Sequence, residues 1–189
     1  MGKKPLSEIQ VKSLRKLVTG NPLHELLLNL SVDLMLRGSD LLNLKVSDVM
    51  NESGTVKSEV KVKQKKTKKN TLLLPLSEKS INAIKIHLDG RPQEDFIFKG
   101  QKSHYTNRPI SVIQYSRIVK RWMKMLGVED TLAFSSHSMR KTKATVIYNK
   151  TKNIDAVRRL LGQSSVTATS AYIGVTDNSA LELARNITV

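Results

Sequence analysis

The stretch from Leu23 to Leu36 constrains the fold most. Its residues, Leu-His-Glu-Leu-Leu-Leu-Asn-Leu-Ser-Val-Asp-Leu-Met-Leu, are apolar on nearly every side of a helix. A helix of that kind is stable only when other elements surround it. It is also shorter than the ~20 apolar residues that a bilayer requires. The chain must therefore wrap further elements around a buried central helix. With 189 residues it is long enough to do so as one domain.

The flanking sequence supplies those elements. Ser7 to Val18 opens with Ser-x-x-Gln, a capping-box pattern, and spaces Ile9, Leu14, Leu17 and Val18 as one helical face. Gly38 interrupts the central run, and Ser39 can cap a short helix through Leu44. Residues 55–63 and Thr71 to Leu76 read as two strands joined by a lysine-rich turn, and Phe96-Ile97-Phe98 as a third short strand. Helices are expected over Ser77 to Leu88, from Pro109 to about Met125, His137 to Asn149, Asn153 to Leu161 and Val166 to Ile173. Ala180 to Ile187 reads as a last amphipathic helix. The expected class is α+β, mainly α: a helical bundle with a small antiparallel three-stranded sheet.

Charge narrows the partners. Thirty-two Lys and Arg face 16 Asp and Glu, a net charge of +16. Such a field attracts polyanions, with nucleic acid ahead of an anionic membrane. No secretory signal follows the first lysines, and Cys is 0, which suits a reducing compartment. A cytoplasmic, DNA-associated protein without a membrane partner is the expectation.

Three basic elements are candidates for function. Lys61, Lys63, Lys65, Lys66, Lys68 and Lys69 crowd the hairpin tip. They are either a solvated charge run or a finger laid along phosphates, in which case each neutralised phosphate adds ~0.9 to the salt slope of binding. Arg108, Arg117, Lys120, Arg121 and Lys124 accompany the helix from Pro109, with Tyr115 and Trp122 interleaved. That helix can meet DNA on one face and place Ile113, Ile118 and Trp122 in the core on the other. His137 and Arg140 lie three apart and share a helical face, a pairing suited to a phosphate. No carboxylate cluster offers a magnesium site, and the four His are scattered.

Four motifs in order resemble the tyrosine recombinase, or phage integrase, family. Leu36-Arg37-Gly38-Ser39-Asp40-Leu41 resembles its first arginine box, and Gln64-Lys65-Lys66-Thr67 its lysine turn. His137-Ser138-Met139-Arg140 matches its His-x-x-Arg. Leu161-Gly162-Gln163, with Tyr172 nine residues later, resembles its Leu-Gly-His and tyrosine. Gln163 stands where the family usually has His. It can donate a hydrogen bond but cannot transfer a proton.

The resemblance implies a catalytic domain spanning residues 1–189, without the family's N-terminal DNA-binding domain, as in short members such as fimbrial-switch invertases. It implies site-specific strand exchange on double-stranded DNA through a 3′-phosphotyrosyl link on Tyr172, with no metal, ATP or other cofactor. Arg37, Arg140 and Gln163 would hold the phosphate. His137 would act as base or positioning group. Lys66 would protonate the leaving oxygen, with Lys65 as its rival. The C-terminal tail would dock on a neighbouring protomer in a tetrameric synapse. Two other readings stand beside it: a DNA-binding protein of this fold with impaired catalysis, and a type IB topoisomerase-like enzyme that only relaxes supercoils.

Overall fold

The computed structural model describes residues 2–100 and 107–176 together with Leu181 and Arg185. The expected helix over Ala180 to Ile187 therefore lies almost wholly outside the described residues. Helix α1 (Glu8–Val18) starts at Ser7, whose hydroxyl accepts from the Gln10 N–H while the Gln10 side chain accepts from Ser7 N–H. Its buried face is Val11, Leu14 and Val18. Ile9 and Leu17, expected to share that face, are exposed at 78% and 47%, because the apolar stripe runs through Val11 instead.

Helix α2 (Pro22–Leu34) is the central helix that its sequence requires. Asn21 caps it, Pro22 opens it, and every residue from Leu26 to Leu34 is buried. It packs against α1, against α5 (Glu78–Leu88) and against α7 (Ser136–Thr151). Its buried Asp33 and Asn29 find partners on neighbouring elements. Asp33 Oδ2 accepts from Ser77 N–H at 2.7 Å and Ser80 Oγ–H at 2.6 Å.

The helix ends at Met35, which takes a left-handed conformation at φ 48°. That turn delivers Arg37 to the N-cap position of α3 (Gly38–Leu42). Ser39, expected as the cap, lies inside the helix, and Gly38 is its first residue. A Cβ at Gly38 would sit 3.3 Å from Ser136 Cβ and 3.4 Å from Val112 Cγ1. The absent side chain lets α3 approach α6 (Val112–Met125) and α7 closely.

The sheet has two strands rather than three. After α4 (Val46–Val49), β1 (Glu59–Val60) pairs antiparallel with β2 (Leu74–Pro75), Glu59 opposite Pro75 and Val60 opposite Leu74. An isolated Lys63–Asn70 bridge continues the hairpin toward its tip. Phe96-Ile97-Phe98 does not join it. Phe96 bridges Lys45, and Lys99 bridges Pro109, so this segment meets two loops singly. Pro109 is used in that bridge, so α6 starts later than expected, at Ser111, through a capping box with Gln114.

The large core gathers Leu14, Leu27, Leu30, Phe98, Tyr115 and Trp122. Trp122 is fully buried, and its indole N–H donates to His24 Nδ1 at 3.3 Å. Ile113, expected beside it, is 66% exposed. A smaller cluster of Met35, Ala144, Val157, Leu161 and Ile173 joins α7, α8 (Ile154–Leu161) and α9 (Val166–Ile173). This second cluster positions the C-terminal motifs against the end of α2.

Candidate active site

Three elements converge at one edge of the molecule. The α2–α3 turn carries Arg37, the first turns of α7 carry His137 and Arg140, and the last turn of α9 carries Tyr172. Ser135 caps α7 and fixes where it begins. Gly162 and Gly174, both left-handed, close α8 and α9. Left-handed backbone costs non-glycine residues roughly 1 kcal/mol or more, so these two stops are sharp.

Tyr172 is half-buried, and its hydroxyl lies 3.5 Å from His137 Nδ1. The two rings stand edge to face, with centroids 6.4 Å apart and planes at 70°. Burial pushes the Tyr172 hydroxyl above its usual 10.0, and the charges of Arg140 and Arg37 oppose that rise. His137 is held below its usual 6.5, first by burial and then by the charges of Arg140, Lys141 and Arg37. At neutral pH the phenol keeps its proton, and the imidazole beside it is a neutral acceptor. Acid and base are matched in the direction a phenolic nucleophile needs.

Arg140 is 4% exposed and donates from Nη2 to the Leu161 carbonyl at 2.6 Å. Burial lowers its pKa to about 10, so it still carries charge at neutral pH. Arg37 Nη1 lies 4.0 Å from Asp40 Oδ2 and donates to Gln64 Oε1. Asp40 Oδ1 in turn accepts from the Lys65 N–H at 2.9 Å. Two guanidiniums and one buried carboxylate thus share this edge, and their balance is positive.

Gln64, which carried no assigned role from sequence, joins three motifs. It is 2% exposed, and its Oε1 accepts from Arg37 and from Thr67 Oγ–H. Its amide packs on Gly162, where a Cβ would fall 2.5 Å from Gln64 Nε2. The lysine turn is thereby anchored to the arginine box and to the Leu-Gly-Gln turn. Lys65 and Lys66 are both exposed on that turn. The backbone of Lys65 is fixed by Asp40. Neither ammonium makes a polar contact with the other site residues among those described.

Gln163 sits directly after Gly162. Its backbone carbonyl accepts from Arg158 Nη1 at 3.0 Å, while its Oε1 is buried with no hydrogen-bond partner among the described residues. Lys141 is the other group that sequence reading passed over. Its ammonium lies over the Tyr172 ring, 4.8 Å from the centroid. The signal for it was available, because Lys141 is four residues after His137 and so shares its helical face.

The remaining basic residues form separate surfaces. Lys61, Lys63, Lys68 and Lys69 are exposed along the hairpin, and Arg108 is exposed ahead of α6. Arg117 and Arg121 line a cavity of about 710 Å³ with His24, Arg91 and Lys99. Lys120 is half-buried, and Tyr115 and Trp122 are core residues rather than surface aromatics. Among the described residues no three of His, Asp and Glu gather where they could hold a metal ion. No helix among them is long and apolar enough to cross a membrane.

The chain is similar to known proteins over most of its length. The Phage integrase family model matches residues 5–179. A probable integrase/recombinase of Bacillus subtilis, YoeC, is 32% identical over 144 residues, which is 76% of this chain and 73% of that protein. A tyrosine recombinase of Pseudothermotoga lettingae is 30% identical over 176 residues, 92% of this chain and 57% of that one. The chain thus spans between 35% and 73% of the length of the curated relatives compared with it. In fold it is similar to the XerA recombinase crystal structure, with TM-score 0.75 and 20% identity over 98% of this chain and 65% of that one. XerH bound to its palindromic difH substrate gives TM-score 0.71 at 20% identity, covering 99% of this chain and 54% of that one. With the motifs in order, their side chains brought to one edge and nearly the whole sequence matched, the chain belongs to the phage integrase family of tyrosine recombinases.

Proposed function

We propose that this chain is a site-specific DNA recombinase, acting on double-stranded DNA through a covalent tyrosine intermediate. The observation that carries the reading is the phenol of Tyr172 facing a neutral His137 imidazole, with two arginines beside it. The Tyr172 oxygen attacks a scissile phosphorus, and the bond from phosphorus to the 5′-oxygen breaks. The phenolic proton passes to His137 Nδ1. The departing 5′-oxygen takes a proton from Lys66, which the turn anchored by Gln64 presents; Lys65 is the rival donor. Arg37 and Arg140 stabilise the charge that builds on the non-bridging oxygens. Gln163 donates a further hydrogen bond from its amide. A 5′-hydroxyl of a second strand then attacks the phosphotyrosyl bond and releases Tyr172. One phosphodiester replaces another, so no external energy source is consumed.

Residues 1–189 act in this reading as one catalytic domain. The exposed Lys61, Lys63, Lys65, Lys68 and Lys69 follow the phosphate backbone, and Arg108, Arg117, Lys120 and Arg121 offer DNA a second basic surface. The C-terminal tail holds subunits together in a tetrameric synapse on DNA, supported by the spacing of Leu181, Leu183, Ala184 and Ile187. The protein works where bacterial DNA is, in the cytoplasm. A weaker DNA-binding role with little cleavage is favoured by one observation, the absence of a proton-transferring group at Gln163.

The test uses two reactions. Labelled nicked duplexes with randomised cores are scored for exchange of strands between molecules, and a supercoiled plasmid for relaxation. Exchange that depends on Tyr172 supports the recombinase. Relaxation without exchange supports a topoisomerase-like enzyme. DNA binding with neither reaction supports the binding protein.

A further inference from the structure

Lys141 occupies an expensive position. It is 7% exposed, and burial holds its pKa below the usual lysine value. The N-terminal segment covers it. A methyl group built on Gly2 would lie 3.6 Å from Lys141 Nζ, and the Leu6 N–H donates to Thr142 Oγ1 at 3.1 Å on the same helix. Burying an ammonium without a carboxylate is unfavourable. None of the ion pairs among the described residues includes Lys141. The group that receives its charge is the Tyr172 ring, 4.8 Å away. The ionisable neighbours on its own helix are Arg140, next to it, and His137, one turn away. Lys3 Nζ is turned away to the Leu132 carbonyl.

We infer that Lys141 is a positioning residue for the nucleophile: its ammonium holds the Tyr172 ring against α7 and favours the phenolate that attacks phosphorus. This rests on the recombinase reading above. The face of an aromatic ring attracts a cation through its quadrupole. That attraction grows as the phenol ionises, because the ring then gains net negative charge. Lys141 therefore stabilises the reacting state more than the resting state, which is what accelerates a step. The contacts of Tyr172 with His137, long at 3.5 Å, and with Arg140 act on its hydroxyl, so a hold on the face of the ring has a geometric purpose. The charge of Lys141 also helps keep His137 neutral and able to accept the proton.

The experiment compares the full chain with Lys141→Met and Lys141→Arg. Single-turnover cleavage of nicked duplexes with randomised cores is measured alongside their affinity. Lys141→Met is expected to slow cleavage by about 10- to 30-fold with affinity unchanged, and Lys141→Arg to recover most of the rate. In NMR spectra His137 titrates at higher pH in Lys141→Met, because one depressing charge is gone, and the Tyr172 ring resonances shift. Wild-type cleavage with an unimpaired Lys141→Met overturns the inference, as does a loss of affinity in step with rate. If the wild type forms no adduct, the recombinase reading fails. The spectra then decide the placement alone, and unmoved His137 and Tyr172 signals overturn it.

Discussion

At the residue scale, the pairing of His137 with Tyr172 makes a directional prediction about pH. His137 is depressed below 6.5 and Tyr172 raised above 10.0. Cleavage should rise as pH climbs through the lowered His137 value, then stay level across neutrality, where imidazole and phenol are both in the required form. A rate profile of the wild type shows this limb, and His137→Gln removes it. Gly162 makes a second prediction. It is left-handed at φ 62° with Gln64 packed on it, so Gly162→Ala should destabilise the fold by about 1–3 kcal/mol. Cleavage should fall further than stability accounts for, because the displaced Gln64 amide also holds Arg37. Denaturation midpoints and adduct yields measured together check both. The sequence named Arg37, His137, Arg140 and Tyr172, because the arginine box, His-x-x-Arg and Leu-Gly-x-plus-nine are local spacings. It passed over Gln64 as a link, since its partners Arg37 and Gly162 are far away along the chain.

At the scale of elements, patterns that depend on local chemistry were legible and pairings that depend on distant partners were not. The all-apolar run marked α2 as central, and the capping box read at Ser7 is present in the fold. The third strand at Phe96-Ile97-Phe98 is β-rich in composition, yet its neighbours are the Lys45 and Pro109 loops, and nothing local encodes that. The same limit misplaced the buried face of α1, where Val11 outcompetes Ile9 and Leu17. The hairpin carries a prediction of its own. Lys68 and Lys69 are exposed, and they close the turn on Gln64 through their backbones alone. Replacing both by Gln should lower the salt slope of DNA binding by about 1.8, near 0.9 for each phosphate that is no longer neutralised, while leaving the melting temperature unchanged. Titrations at several salt concentrations measure that slope.

For the whole molecule, the architecture puts the proposed site at the join between two hydrophobic clusters. The large core fixes Arg37 through α2, and the smaller cluster fixes Tyr172 through α9. The net charge of +16 disfavours self-association of the free chain and favours gathering on a polyanion. Sedimentation should therefore show monomers alone and oligomers on duplex DNA, and the latter should weaken when residues 176–189 are deleted. A stable dimer without DNA that survives the deletion would contradict this. The central claim is covalent chemistry at Tyr172. The most direct measurement mixes wild type, Tyr172→Phe and Gln163→His with nicked duplexes of randomised core, and locates any SDS-resistant adduct by peptide mass spectrometry. The account predicts an adduct on Tyr172 in wild type and none in Tyr172→Phe, with Gln163→His at least as active. DNA binding without an adduct in wild type, or an adduct on a residue other than Tyr172, would contradict it.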